Sequence, residues 1–229
     1  MKRVHFYILS FLLLLVAVMV PEVQQVLSID SVGDGVTLAA GAAFAPLKWP
    51  MGQNNMGGFK PRLLFIPADA VSAVPTVPDP SEATDNEALV TAVGSFEFNE
   101  KSSVKKPIYL YSTDGEVGYS AEPQGELDGI SYKQTLEFFF PGNLPAMHAF
   151  SSLVKNTPGY YIIEDVDGRQ MMVGQDGLMA TTSPSFNGGK ARADRRGTTY
   201  SASADSNYSA VFLETPIDML GVSAGTTEG

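Results

Sequence analysis

Apolar and polar side chains alternate along residues 129–140, and this pattern predicts the strand around which the rest of the chain is organised. A period of two, with aromatic and β-branched side chains at the apolar positions, is typical of a strand with one buried face. Pro141 and Gly142 end this strand. The apolar positions share one face of it: Ile130, Tyr132, Leu136, Phe138 and Phe140.

A helix over about 143–156 is predicted directly after this strand. Asn143 can cap its first turn, because the side-chain oxygen can accept from backbone N–H groups that lack an intrahelical partner. Pro145 is tolerated in that turn for the same reason, and Asn156-Thr-Pro-Gly ends the helix. Large apolar side chains recur at helical spacing and predict one buried stripe: Leu144, Met147, Phe150 (or Ser151) and Val154.

Further runs with strand periodicity precede and follow this unit, at 62–66, 90–98, 106–112, 160–166, 170–173, 178–182, 198–203 and 209–214. The Asp-Gly pairs at 114–115 and 167–168 are strong hairpin signals, and residues 125–129 form another turn. Tight turns join antiparallel neighbours. The pattern therefore predicts a mainly β fold with one principal helix, as an antiparallel β-sandwich or a rolled sheet flanked by that helix.

The same pattern divides the chain into an apolar N-terminal extension at 1–50, a single β-rich domain at 51–220 and a loose C-terminal tail at 221–229. A basic flank followed by the apolar run 6–20 is typical of a signal peptide or a short membrane anchor. Composition changes abruptly after residue 50. A third interpretation is therefore a misassigned start, with translation beginning at Met51 or Met56.

Residues 68–87 are predicted to form a long loop or arm within the domain. They contain Pro75, Pro78 and Pro80 together with scattered acidic residues, and they show no apolar period. Loops of this length are uncommon inside compact domains and frequently have a function, such as reaching a neighbouring subunit. A disordered surface loop is the alternative.

Composition argues against several classes of chemistry. The chain has no cysteine, which excludes thiolate chemistry, and only two histidines, His5 and His148, which argue against a multi-histidine metal site. His148 falls within the predicted helix, away from any Gly-x-Ser-x-Gly nucleophile motif, and is predicted to be a surface or core-edge residue. We therefore predict a protein that is not an enzyme and that uses no cofactor or metal.

Charge points to the kind of surface the protein presents. With 25 acidic and 15 basic residues, the formal net charge is −10. This charge argues against a protein built to bind nucleic acid tightly but does not exclude one that must avoid such binding, and solubility alone also explains it. Four cations lie close together on this acidic chain, and they are either a candidate subunit interface or a solvated loop: Lys190, Arg192, Arg195 and Arg196.

The segment Gly189-Lys-Ala-Arg-Ala-Asp-Arg-Arg-Gly-Thr-Thr-Tyr, followed by Ser203-Ala-Asp-Ser and a closing strand, resembles bacteriophage tail tube proteins. The resemblance extends to residues 128–142, the predicted helix, residues 160–169 and the stretch that begins at Met56. It covers about residues 51–220.

This resemblance implies a β-sandwich or rolled sheet with a flanking helix, joined edge to edge into rings that stack as a hollow tube. The implied partners are copies of the chain, other tail proteins and DNA that passes through without tight binding. The implied location is the virion, after assembly in the host cytoplasm. The apolar run 6–20 departs from the family's pattern.

The competing interpretation takes the apolar run at face value and predicts a secreted or membrane-anchored β-sandwich surface protein or adhesin. N-terminal sequencing of the native protein separates the two interpretations. A start at Met51 or Met56 favours the virion, whereas a processed export signal favours the cell surface.

Overall fold

The computed structural model describes residues 46–48, 51–52, 56–83 and 85–219. The tail at 221–229 lies outside these residues, as does nearly all of the extension at 1–50, including the apolar run 6–20. In the part of the chain that the structure describes, no helix is long and apolar enough to span a membrane.

The described residues contain twelve strands and one α-helix. In chain order they are β1 (Phe59–Pro67), β2 (Val71–Ala73), β3 (Thr91–Ala92), β4 (Glu97–Phe98), β5 (Ile108–Tyr111), β6 (Gly118–Gln124), β7 (Ser131–Pro141), α1 (Pro145–Val154), β8 (Gly159–Asp165), β9 (Gln170–Val173), β10 (Thr181–Asn187), β11 (Gly197–Ser206) and β12 (Val211–Leu213). Single 3-10 turns lie at Ala68–Ala70 and Ala88–Val90.

The strands form a six-stranded sheet in the order β3-β12-β9-β8-β1-β5, a four-stranded sheet in the order β10-β11-β7-β6, and a small β2-β4 pair. Among the described strands, every pairing is antiparallel except that of β12 with β3. The mainly β fold with one helix, predicted from the alternation of side chains, is confirmed.

The main core lies between the six-stranded and four-stranded sheets, which pack as the two layers of a sandwich. The six-stranded sheet contributes Leu63, Phe65, Tyr161 and Ile163, and the four-stranded sheet contributes Leu136, Phe138, Tyr200 and Ala202. The ring centroids of Phe138 and Tyr200 are 4.9 Å apart in a stacked pair. Because each buried large side chain contributes roughly 1.5–3 kcal/mol, this layer dominates the stability of the domain.

A second core covers the opposite face of the six-stranded sheet, so β8 is buried on both faces. Val71, Val74 and Val77 pack there against Ile66 and Ile162 and their neighbours. The segment 68–87, predicted as a loop or arm, thus contains β2 and contributes apolar side chains to a core. The long apolar run of β8 reflects burial on two sides rather than alternation.

The predicted helix is present as α1, but its first turn differs from the prediction. Leu144, not Asn143, occupies the N-cap position, and no side chain caps the helix. The Asn143 Oδ1 atom lies instead 2.7 Å from His148 Nε2. Met147 and Val154 are buried as predicted, whereas Leu144 is 53% exposed, because it precedes the helix and falls off the buried stripe.

The prediction of a β-hairpin at Asp114 and Gly115 is wrong. The turn is present, with Gly115 at a φ of 76°, but β5 pairs with β1 and β6 pairs with β7. The chain therefore crosses here from one layer of the sandwich to the other. The backbone of a tight turn is the same whether its flanking strands pair or diverge, so the local sequence could not separate the two cases.

Two predicted boundaries also differ. Residues 90–98, predicted as one strand, contain the two short strands β3 and β4 in different sheets. Residues 183–187, predicted as part of a polar loop, continue β10, since edge strands with a solvated outer face need few apolar residues.

The most buried carboxylate in an ion pair is Glu164 on β8, which binds two cations from β1. Lys60 Nζ lies 2.6 Å from one of its oxygens and Arg62 Nη2 lies 2.7 Å from the other. Burial by itself would raise the pKa of Glu164, but hydrogen bonds from Lys60 and Arg62, together with their positive charges, lower it below its ordinary value.

This lowered pKa predicts a pH-dependent stability. Because the folded pKa is below the unfolded one, the contribution of Glu164 is present above the unfolded value near 4.5 and is lost as the pH falls through the folded value. Glu164→Gln should cost about 1–2 kcal/mol at pH 7, since both cations are partly exposed. It should also flatten the dependence of the unfolding free energy on pH below 5. Denaturant titrations of both proteins from pH 7 to 3 check this. If the unfolding free energy of both proteins falls equally steeply with decreasing pH, the prediction is contradicted.

Candidate assembly surface

The four-stranded sheet has two free edges among the described residues. β6 pairs only with β7, and β10 pairs only with β11 apart from isolated bridges outside the strand itself. Both edge strands are seven residues long. Each contains one proline, Pro123 or Pro184, as edge strands tolerate. The other residues of these strands keep backbone groups that can pair with another chain.

The outer face of this sheet, turned away from the core, carries mainly short hydroxyl side chains, and Phe139, paired in register with Thr199, is the aromatic side chain at one end of it. The register aligns Ser183 with Ser201 and Glu137, and aligns Thr181 with Ser203 and Thr135. Alternate residues share a face of a sheet, so nine hydroxyl residues form one surface: Ser120, Ser131, Thr135, Thr181, Ser183, Ser185, Thr199, Ser201 and Ser203. We call this surface the hydroxyl face.

Four charged residues of the strands themselves share the hydroxyl face. Lys133 is paired in register with Glu122 on β6 and with Asp205 on β11, and Asp205 also accepts a hydrogen bond of 2.8 Å from Gln124 Nε2. Glu137 is the fourth and lies among the hydroxyls. Three acids and one base give the face a net charge of −2 per chain.

The four cations predicted as a candidate interface lie at one end of the four-stranded sheet, in the loop Gly188–Arg196 between β10 and β11. We call this loop the basic loop. Its backbone is organised by Asp194, whose Oδ2 atom accepts hydrogen bonds of 2.7 and 2.8 Å from the N–H groups of Lys190 and Ala191. Those two hydrogen bonds lower the pKa of Asp194.

Arg195 differs from the other three cations because its partners lie within the chain. Its Nη1 atom is 2.6 Å from Glu116 Oε1, and its guanidinium carbon lies 3.5 Å from the centroid of the Phe139 ring. Arg195 therefore holds the loop against the sheet. Lys190, Arg192 and Arg196 are exposed and form no ion pair with any described residue.

The opposite end of the same sheet carries a second exposed feature, the turn Gly125–Ile130 between β6 and β7. We call it the acidic tip. Its charged residues are Glu126 and Asp128, and Asp128 has a left-handed φ of 70°. Leu127 is 84% exposed and Ile130 is 58% exposed.

The exposure of Ile130 corrects its predicted position on the buried face, because β7 begins one residue later. Sequence reasoning identified residues 125–129 only as a turn and attached no function to them. The available signal was a large apolar residue, Leu127, between two acids in a turn that needs no apolar side chain.

The described residues do not contain a group of three or more His, Asp or Glu side chains that could hold a metal. His148 lies at the core edge, with its ring centroid 4.8 Å from that of Phe186 on β10. Its neighbours are thus Asn143 and an aromatic ring.

Comparisons of the chain with protein-family models, with curated proteins and with solved structures find no match.

Proposed function

We propose that this chain is a structural subunit of a bacteriophage tail tube, in which copies join edge to edge into rings and the rings stack into a channel for DNA. One observation carries the proposal: the four-stranded sheet combines two free edges with a small-residue outer face of net negative charge. The resemblance of residues 189–206 to tail tube proteins supports the same class. The proposed location is the virion, after assembly in the host cytoplasm.

The two free edges favour a ring over a dimer. β6 and β10 lie at opposite edges of the sheet, so β6 of one copy can pair with β10 of the next and leave its own β10 for a third copy. Such a heterologous contact repeats until the rotation closes. The four-stranded sheets of successive copies then form one continuous β-surface, and the six-stranded sheet of each copy lies behind it.

In this arrangement the hydroxyl face lines the channel. Apart from Phe139 at one end, which Arg195 covers, short serine and threonine side chains leave a smooth wall, and the −2 charge of the strand residues repeats on every subunit. Phosphates are repelled by such a wall, so DNA gains no tight contact along its path. The six-stranded sheet, the helix and the second core supply rigidity and take no part in lining the channel.

The edge contact can be tested by disulfide ladders, because the native chain has no cysteine. Ser120→Cys on β6 is combined in turn with Thr181→Cys, Ser183→Cys or Ser185→Cys on β10, each of which fits a different register. β6 and β10 are separated by three strand spacings, about 14 Å, so the two cysteines of one chain cannot bridge. Oxidation of assembled full-length protein should give a ladder of covalent multimers for one combination.

Each single-cysteine variant is the matched control and should give at most a dimer. Electron microscopy of the same samples shows whether rings or tubes are present. A parent chain that stays monomeric at every protein and salt concentration would contradict the proposal. So would rings in which none of the three combinations gives species larger than a dimer.

A further inference from the structure

The two ends of the four-stranded sheet carry opposite charges. The acidic tip precedes β7 and the basic loop lies beside its last residue, so the eleven residues of β7 separate them. At about 3.3 Å per residue this is about 33 Å, several times the Debye length of about 8 Å at physiological salt. The two ends therefore do not neutralise each other within one molecule.

Both ends also expose large apolar side chains next to their charges. Leu127 and Ile130 accompany the acids of the acidic tip. At the other end, Phe186 lies near the end of β10, two residues before the basic loop, and is 43% exposed. Leu144, which follows β7, is also exposed. His148 connects this second pair, since its ring contacts Phe186 and its backbone N–H donates to the Leu144 carbonyl.

We infer that the acidic tip of one copy docks on the basic loop of the next copy and that this is the contact between successive rings. Glu126 and Asp128 would face Lys190, Arg192 and Arg196, while Leu127 and Ile130 would cover Leu144 and Phe186. The occupant is a second copy because charge and apolar surface complement each other at the two ends of the same chain. The contact is head to tail, so it propagates along an axis rather than closing a dimer.

The conformation of the tip fits this role. Asp128 is the only non-glycine residue with a positive φ among the described residues. Aspartate and asparagine tolerate this conformation better than most residues, and it costs free energy where the surroundings do not favour it. A hydrogen bond of 3.0 Å from the Gly129 N–H to the Glu126 carbonyl closes this turn, so Asp128 and Leu127 are its two central residues. Arg195, held by Glu116 and Phe139, keeps the opposite loop in place.

Charge exchange tests the inference on the full-length chain. The tip variant carries Glu126→Lys and Asp128→Asn, since asparagine retains the left-handed conformation. The loop variant carries Lys190→Glu, Arg192→Glu and Arg196→Glu and keeps Arg195. Each variant alone places like charges at the contact, so its critical concentration for tubes should rise about tenfold or more while rings still form.

An equimolar mixture of the two variants should restore tubes, because the basic tip of one then meets the acidic loop of the other. A matched control, with Lys101→Glu, Lys106→Glu and Arg169→Glu at exposed positions outside both ends, changes the charge as much as the loop variant does and should stack like the parent. Sedimentation and electron microscopy measure both assembly states, and thermal unfolding confirms that each variant is folded.

The inference rests on the proposed function, and the two can fail separately. Absence of rings in the parent protein overturns the proposed function itself. Rings that stack equally well in the parent and in both variants overturn only the docking of the tip on the loop. A mixture that fails to restore tubes from two folded, ring-forming variants overturns it as well.

Discussion

Tubes of a variant in which Glu122, Glu137 and Asp205 are replaced by lysine should bind DNA that the parent tubes leave free. The substitutions change the charge of the hydroxyl face from −2 to +4 per chain and leave the core untouched. Repeated around a ring, this positive wall neutralises many phosphates. For 6–10 phosphate contacts the affinity should fall by roughly 10³–10⁵ between 50 and 200 mM salt. Co-sedimentation of a short duplex, present during assembly, measures the binding.

The control for this experiment changes the net charge equally at another place. Glu82→Lys, Asp167→Lys and Glu214→Lys lie on segments that belong to or cover the six-stranded sheet and are exposed. Tubes of this variant should bind DNA in the channel no more tightly than tubes of the parent protein do. Equal binding by the two triple variants would show that the hydroxyl face does not line the channel. Parent tubes that bind DNA tightly at about 0.15 M salt would contradict a repelling wall.

The part of the fold that could be predicted from the sequence is the part where one face of an element is buried. β7 alternates because Leu136 and Phe138 face the core while Lys133 and Glu137 face outward. The turn after β8 was predictable because the strands on either side of Asp167 and Gly168 do pair. In both places the local pattern and the tertiary environment agree.

The errors lie where a tertiary contact decides between equal local options. Asp114 and Gly115 form the predicted turn, but which strand pairs with β5 depends on β1, about 50 residues earlier in the chain. Asn143 is a suitable cap by residue type, but a competing local contact with His148, five residues later, takes its side chain instead. Propensity is a weak prior that such contacts override.

The candidate surfaces show the same limit. The cations of the basic loop were visible as a cluster in the sequence, but the pairing of Arg195 with Glu116 spans 79 positions and could not be read from spacing. The hydroxyl face was hidden for a related reason. Its members come from four strands, and only the register brings Ser120, Thr135, Ser201 and Ser183 onto one surface.

Tyr161→Ala should destabilise the domain more than any other substitution proposed above. Tyr161 is fully buried in the main core, with its ring centroid 4.9 Å from that of Phe65 and 5.9 Å from that of Phe138. Truncation to alanine leaves a cavity between the two sheets and should cost about 3–5 kcal/mol. For a domain of this size the midpoint of thermal unfolding should fall by roughly 6–20 °C.

Tyr161→Phe isolates the hydroxyl from the ring. The Tyr161 hydroxyl lies 2.7 Å from Thr182 Oγ1 on β10, so it ties the six-stranded sheet to the strand that forms one proposed subunit edge. Removing it leaves a buried threonine hydroxyl without this partner and should cost only about 1–2 kcal/mol. Calorimetry of both variants measures the difference, and equal losses would place the stabilisation in the hydrogen bond rather than in packing. If Tyr161 also fixes the position of β10, the phenylalanine variant should remain folded yet assemble at a higher protein concentration than the parent.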